Sequence, residues 1–99
     1  MTKEIEANAE MPRYKCHKEV HALKIKLIVL DSEMAKRENR ETDGGAIIIP
    51  EDQGYASFKV DHNYVRKHLP EAGGYYVVYE DGYKSFSPAK AFEEGYTKI

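Results

Sequence analysis

The sequence is poor in cysteine, in long apolar segments and in net charge. Cys16 is the only cysteine, so an intramolecular disulfide is excluded. Small secreted domains are usually rich in disulfides, so this lack favours a reducing, cytoplasmic compartment. No aliphatic run exceeds four residues, as at Leu27–Leu30, whereas a membrane-spanning helix needs about 20. The formal net charge is only -2, so no overall field draws the chain to nucleic acid or to an anionic membrane.

The length of 99 residues predicts a single domain with a modest core. Residues 1–11 are polar and lack a hydrophobic period, so we expect a disordered tail there and the domain at residues 12–99. Residues 1–10 contain three glutamates and no apolar run, which is not the pattern of a secretory signal. Residues 31–45 are dominated by charge and predict a flexible loop, with a turn of helix at Ser32–Arg37.

The longest predicted strand is Val20–Leu30. Its apolar residues recur at every second position, which places four of them on one face: Leu23, Ile25, Leu27 and Val29. The opposite face is partly polar, so we predict a half-exposed or edge strand. Shorter strands are predicted at residues 13–18, 46–49 and 55–60. Asp61 is a good cap for a helix at His62–Leu69 that Pro70 ends, with Leu69 on its apolar stripe.

The carboxyl-terminal residues 75–99 predict a compact supersecondary unit. Tyr75–Tyr79 is β-branched and aromatic, as in a strand, and Asp81-Gly82 suits a tight hairpin turn. Ser87-Pro88 predicts a hydroxyl cap and the first position of a helix, which Gly95 would end in the left-handed conformation. The whole pattern predicts an α+β fold with a small, mainly antiparallel sheet of about five strands and two short helices.

The residues that could support catalysis or metal binding are few. Cys16, His17 and His21 could contribute to a zinc site, but the paired Cys-x-x-Cys spacing of a structural site is absent. His17 is adjacent to Cys16 and would point to the opposite face of a strand, so it does not suit a nucleophile–base pair. The carboxylate pairs Glu80–Asp81 and Glu93–Glu94 lie at a turn and a helix end, where solvent keeps carboxylates ionised. We therefore predict no catalytic residues, no metal and no cofactor.

The eight tyrosines are the most distinctive residues, and five of them lie in the carboxyl-terminal unit. Tyrosine gives a large contact area at low entropic cost and is enriched at interfaces. We predict protein-binding contacts at Tyr76, Tyr79 and Tyr83. Two other roles remain open: filling the core with hydroxyls at its rim, or stacking on bases. The adjacent Glu80 and Asp81 argue against base stacking.

Basic residues recur along the first two strands, and they raise the alternative of a nucleic-acid-binding protein. The members of this basic stripe are Arg13, Lys15, Lys18, Lys24 and Lys26. A row of cations could track a phosphate backbone. Lysine on an exposed strand also prevents pairing with other chains, and we favour this protective role.

Three blocks of the sequence carry a resemblance to known proteins. The first block is Pro-Arg-Tyr-Lys-Cys-His-Lys at residues 12–18. The second runs from Gly-Ala to Pro-Glu at residues 45–51 and continues with Gly-Tyr-Ala at 54–56. The third is Gly-Gly-Tyr-Tyr-Val-Val-Tyr-Glu-Asp-Gly-Tyr at residues 73–83, followed by Ser-Pro-Ala, Ala-Phe-Glu and Gly-Tyr-Thr. Together they resemble small uncharacterised proteins of tailed bacteriophages and prophages. The resemblance implies a phage or prophage origin and transfers no catalytic or binding residue.

The functional hypothesis is a non-enzymatic phage accessory or virion-associated protein that acts by protein–protein interaction. Its partner would be a phage or host protein, or a second copy in a homodimer. We expect it in the bacterial host cytoplasm or in the virion, with no membrane and no nucleic acid among its partners. The alternatives are a nucleic-acid binder that uses the basic stripe and a small metal- or thiol-dependent enzyme built on Cys16.

Overall fold

A computed structural model describes residues 11–15 and 19–98 and shows an α+β fold with a curled antiparallel sheet. In these residues the elements are β1 (Arg13–Lys15), β2 (Glu19–Leu30), α1 (Asp31–Glu38), β3 (Ala46–Pro50), β4 (Phe58–Val60), α2 (His62–His68), β5 (Tyr75–Val78), β6 (Lys84–Ser87), α3 (Ala89–Gly95) and β7 (Thr97–Lys98). The predicted fold class is confirmed. The structure adds the short strand β7, and the predicted turn of helix at Ser32–Arg37 is the full helix α1 in a segment that was predicted to be a flexible loop.

The long strand β2 organises the sheet. Strand order is β4-β3-β2-β1-β7, and the β5–β6 hairpin joins through pairing of β5 with β2. His21 pairs with Arg13 of β1 and also with Val78 of β5. The prediction of a strand here is confirmed. Its middle is not an edge, because β2 pairs with β5 at residues 21–24 in addition to β1 and β3, whereas residues 27–30 pair with β3 alone and are partly exposed.

A β-bulge in β2 changes which side chains face the core. The register with β3 shifts between Ile25 and Leu27. Before the bulge Leu23 and Ile25 are buried, whereas after it Ile28 packs against the core and Leu27 is 50% exposed. An extra residue in one strand reverses the alternation of its side chains. The prediction that Leu27 shares the core face with Leu23 and Ile25 is therefore wrong.

Two clusters of buried side chains lie on opposite faces of the sheet. The larger one contains Met11, Leu23, Ile25, Ala46, Ile48, Phe58, Val60, Tyr64, Tyr76 and Val78. The smaller one contains Val20, Ala22, Tyr75, Val77 and Phe92. Strand β5 contributes to both, so all four of its residues are buried. Met11, the last residue of the predicted tail, packs in the core, and residues 1–10 lie outside the described residues.

A network of hydrogen bonds connects the start of α1 to the loop that follows it. Asp31 is only 6% exposed. Its carboxylate accepts from Arg40 Nη1 and Nη2 at 3.1 and 2.9 Å, from Thr42 Oγ1 at 2.9 Å and from the Asp43 amide at 3.1 Å. These bonds, the Arg40 guanidinium first, hold the pKa of Asp31 well below its usual range. The helix Asp31–Glu38 extends one residue beyond the predicted turn at each end.

The other two helices begin in different ways. Asp61 caps α2 as predicted, and its Oδ1 accepts from the Tyr64 amide at 2.9 Å. In α3 the predicted Ser87 cap is wrong, because Ser87 ends β6 and Pro88 occupies the cap position without a side-chain bond. The predicted left-handed Gly95 is also wrong, since Gly95 is the last helical residue and the chain continues extended into β7.

Candidate docking surface

The predicted metal and thiol cluster falls largely outside the described structure. Cys16 and His17 lie in residues 16–18, which are not described, and His21 is on β2. Among residues 11–15 and 19–98, no three histidine, cysteine, aspartate or glutamate side chains lie close enough to share a metal ion. None of the helices in these residues is long and apolar enough to cross a membrane.

The two carboxylate pairs have structural partners. Glu93 accepts from the Tyr75 hydroxyl at 2.8 Å and from Lys24 Nζ at 3.1 Å, and these bonds lower its pKa. Glu93 thereby connects α3 to β2 and β5. Asp81 Oδ1 accepts from the Tyr83 amide at 3.0 Å and shapes the hairpin turn. Both carboxylates thus contribute to the architecture of the carboxyl-terminal unit.

The basic stripe is interrupted by ion pairs. Arg13 pairs with Glu19 at 3.0 Å, and Lys24 pairs with Glu93 while its ammonium lies 5.7 Å from the Tyr75 ring. Lys26 is exposed at the bulge of β2. Lys18 and the Lys15 side chain fall outside the described part of the structure. Paired cations present less potential to a phosphate backbone, so this geometry does not favour the nucleic-acid alternative.

The structure separates the three tyrosines that were predicted to bind protein. Tyr76 is 4% exposed, and its ring centroid lies 4.7 Å from that of Phe58, so its ring belongs to the core and not to the outer surface. Its position agrees instead with the alternative of core filling. Tyr79 is half-buried and stacks on Tyr83 with ring centroids 6.0 Å apart. Tyr83 is 43% exposed at the hairpin turn.

Residues at the end of α2 extend the exposed tyrosines into a larger surface. Lys67 Nζ lies 5.1 Å from the Tyr83 ring, and the His68 ring packs edge-on against Tyr83 at 5.9 Å. Burial, followed by the neighbouring Lys67 charge, lowers the pKa of His68. The next residue in the chain, Leu69, is 68% exposed. We call the five residues Lys67, His68, Leu69, Tyr79 and Tyr83 the docking surface.

Leu69 is exposed because of its backbone conformation. It was predicted to lie on the apolar stripe of α2, and this prediction is wrong. The helix ends at His68, and Leu69 takes left-handed angles, with φ 46° and ψ 58°. A sequence signal was present, since a residue before proline, here Pro70, is pushed out of the helical region. The turn carries the leucine side chain away from the core.

The conformation of Leu69 leads to a prediction about stability. Leu69→Gly should raise the free energy of unfolding by roughly 1 kcal/mol, because glycine adopts the left-handed conformation without steric strain. Leu69→Ala keeps the Cβ atom and therefore the strain, so it should not share this gain. Urea denaturation of the three proteins measures the difference. If the glycine variant is less stable than the wild type, the leucine side chain stabilises the fold through its packing, contrary to this prediction.

Comparison with known proteins gives one informative similarity. No family model and no curated protein matches the sequence. Among solved structures, the chain is similar to the NMR solution structure of the monomeric form of the phage L decoration protein. The TM-score is 0.61 and the sequence identity 29%, over 88% of this chain. The match covers only 58% of the length of the phage L protein.

The similarity supports one conclusion at a coarse level. The chain is a small α+β protein that is similar in structure to a bacteriophage protein, in agreement with its phage-like motifs at residues 12–18 and 73–83.

Proposed function

We propose that this chain is a decoration-type protein that binds to the assembled protein shell of a bacteriophage. The observation that carries the proposal is the similarity to the phage L decoration protein over 88% of the chain. The partner would be the coat protein in its assembled form, and the chain would belong to the virion. Because the chain spans 58% of the phage L protein, its mode of attachment is inferred here from its own surface.

The docking surface has the chemistry of a protein-binding contact. Tyr83 and Leu69 both expose apolar area, Tyr83 in contact with His68 and Leu69 directly after His68 in the chain. A leucine held at a backbone cost is explained by a partner that covers it. Interfaces concentrate their energy in a few aromatic and apolar anchors surrounded by polar groups. Lys67, packed over Tyr83, supplies the adjacent polar rim.

The direct test is co-sedimentation with purified heads of the phage whose genome encodes this chain. We expect saturable binding to these heads and none to the heads of an unrelated phage. Failure to bind cognate heads at micromolar protein would contradict the proposed function. Analytical ultracentrifugation of the protein alone would detect a homodimer, and capture from host lysate would detect a host partner, the two other partners that the sequence suggests.

Two substitutions test the docking surface itself. Tyr83→Ala and Leu69→Ala should each weaken binding to phage heads about tenfold, because each removes an exposed anchor. Leu27→Ala is the matched control, since Leu27 is similarly exposed but lies on β2 at the bulge. Thermal melts should show that all three variants remain folded. Equal affinity of all three variants would exclude this surface as the contact.

A further inference from the structure

A cavity lies beside the docking surface, between β4, the first turn of α2 and the β5–β6 hairpin. Its volume is about 480 Å³, which is within the range of ligand pockets. Tyr76 and Lys84 line it from the hairpin, and Asn63 lines it from the helix. Tyr64 and Lys84 also border the groove that contains Lys67 and Tyr83, so the cavity and the docking surface are continuous.

The hydroxyl of Tyr76 is the unusual group in this cavity. The residue is 4% exposed, and its hydroxyl makes no hydrogen bond to any residue that the structure describes. The neighbouring Tyr64 shows the ordinary arrangement, since its hydroxyl donates to the Ser85 carbonyl at 2.7 Å. Nearly all buried polar groups have a hydrogen-bond partner, because leaving one unsatisfied is costly. Among the residues that the structure describes, the Tyr76 hydroxyl is therefore a donor without an acceptor.

Lys84 supplies a second uncommitted donor at the same place. The register of the hairpin pairs Tyr76 with Phe86 and Val78 with Lys84, so Lys84 lies on the same face as Tyr76. In the described residues Lys84 forms no ion pair, whereas Lys59, across the cavity, pairs with Asp43. Tyr76 and Lys84 thus line one cavity, and neither the hydroxyl nor the ammonium has a hydrogen-bond or ion-pair partner among the described residues.

The acidic groups of the cavity are already used by the fold. Asp61 caps α2 through the Tyr64 amide, and Asp43 accepts from Lys59 and from the Gly45 amide. A ligand that pairs with Lys84 and accepts from Tyr76 would bring its own acceptor and a negative charge. Phosphate sites usually contain arginine or several cations, and here one unpaired ammonium faces the space, which a single carboxylate neutralises.

We propose that this cavity binds a carboxylate side chain of the coat protein, with the Tyr76 hydroxyl donating to one oxygen and Lys84 pairing with the group. The proposal rests on the proposed function for the identity of the partner. A glutamate or aspartate side chain from the docked coat protein would enter the cavity, while Tyr83 and Lys67 in the neighbouring groove would contact the same partner. Because of this site, the protein would bind only a coat protein that presents a negatively charged side chain, a selectivity that apolar contacts cannot supply.

The first experiment uses a small mimic of the side chain. N-acetylglutamate amide is titrated into isotopically labelled protein, and N-acetylglutamine amide, which has the same shape without the charge, is the control. We expect saturable NMR shifts at Tyr76, Asn63 and Lys84 with the glutamate compound alone. Equal shifts with both compounds, or none with either, would overturn the carboxylate site whatever the outcome with phage heads.

The second experiment uses Tyr76→Phe, which removes one oxygen and keeps the ring. Affinity for cognate heads should fall about tenfold, the usual effect of losing a hydrogen bond to a charged group. The melting temperature should stay the same or rise, because the variant buries no unsatisfied hydroxyl. A purely structural hydroxyl would give the opposite result, a lower melting temperature with unchanged affinity.

Lys84→Gln gives an independent variant, and Lys90→Gln on the exposed face of α3 is its control. We expect weaker head binding with Lys84→Gln and no change with Lys90→Gln. If the wild-type protein binds heads and both cavity variants bind equally well, the carboxylate site is wrong and the proposed function stands. If the wild-type protein binds no heads, the proposed function fails, and the titration with the glutamate compound decides whether the cavity takes a carboxylate from another source.

Discussion

Phe92→Ala should lower the free energy of unfolding by about 3–5 kcal/mol, the usual cost of truncating a buried phenylalanine. Phe92 is 1% exposed and is the central side chain of the smaller core cluster. Its ring stacks on Tyr75 at 4.2 Å and on Tyr96 at 4.5 Å, and it meets Tyr14 edge-on at 4.8 Å. The substitution would remove the ring that holds α3 against β1 and β5.

The size of this effect is large compared with the stability of the whole domain. Small domains are stable by only about 5–15 kcal/mol, so Phe92→Ala should leave a large unfolded population on warming. Chemical denaturation followed by circular dichroism measures the loss. Lys90→Ala, on the exposed side of the same helix, is the control and should change little. A loss below about 1 kcal/mol would mean that the cluster closes the gap left by the ring, contrary to the packing described here.

Asp31→Asn should lower the melting temperature near pH 7 by disrupting the network that holds residues 40–43. The neutral amide cannot match the paired hydrogen bonds that the carboxylate accepts from Arg40. The Arg40 guanidinium, whose side chain is 39% exposed, would then lose the countercharge of the buried Asp31 carboxylate. Glu33→Gln is the control, because Glu33 lies on the same helix and is exposed. It should leave the melting temperature nearly unchanged.

The same network predicts a dependence on acid. The pKa of Asp31 is lower in the folded chain than in the unfolded chain, because Arg40, Asp43 and Thr42 stabilise the ionised form. The contribution of Asp31 to stability is fully present above the ordinary aspartate pKa and is lost as pH falls below it toward the folded value. The difference in melting temperature between wild type and Asp31→Asn should therefore shrink between pH 7 and about pH 3. A constant difference over this range would contradict the role of the ionised carboxylate.

The elements with strong local signals were predicted well from the sequence. Strand β5 and helix α2 appear where the β-branched run and the Asp61 cap predict them. Their signals come from neighbouring residues, so the local sequence contains the whole cause. The end of α3 was predicted less well, since Gly95 stays helical where a left-handed residue was expected.

The candidate site was predicted only in part. Tyr83 is on the docking surface as a partner-binding role requires, but Tyr76 is in the core and Leu69, assigned to the core, is exposed. Alternation along a strand separates two faces without telling which face another element will cover. The contact of Lys67 with Tyr83 depends on how α2 packs beside the hairpin, and nothing in either segment alone predicts it.

The sequence by itself determined the α+β class, the places of the main strands and of α2, and the motifs that relate the chain to phage proteins. The tertiary structure alone decided the reversal of faces at the β2 bulge, the attachment of residues 40–43 to Asp31 and the meeting of Tyr76 with Lys84 at one cavity. The physical reason is that the interactions that determine these features act over different distances along the chain. Backbone preferences and caps act over a few residues, whereas burial and pairing depend on residues far away in the chain that the fold brings together.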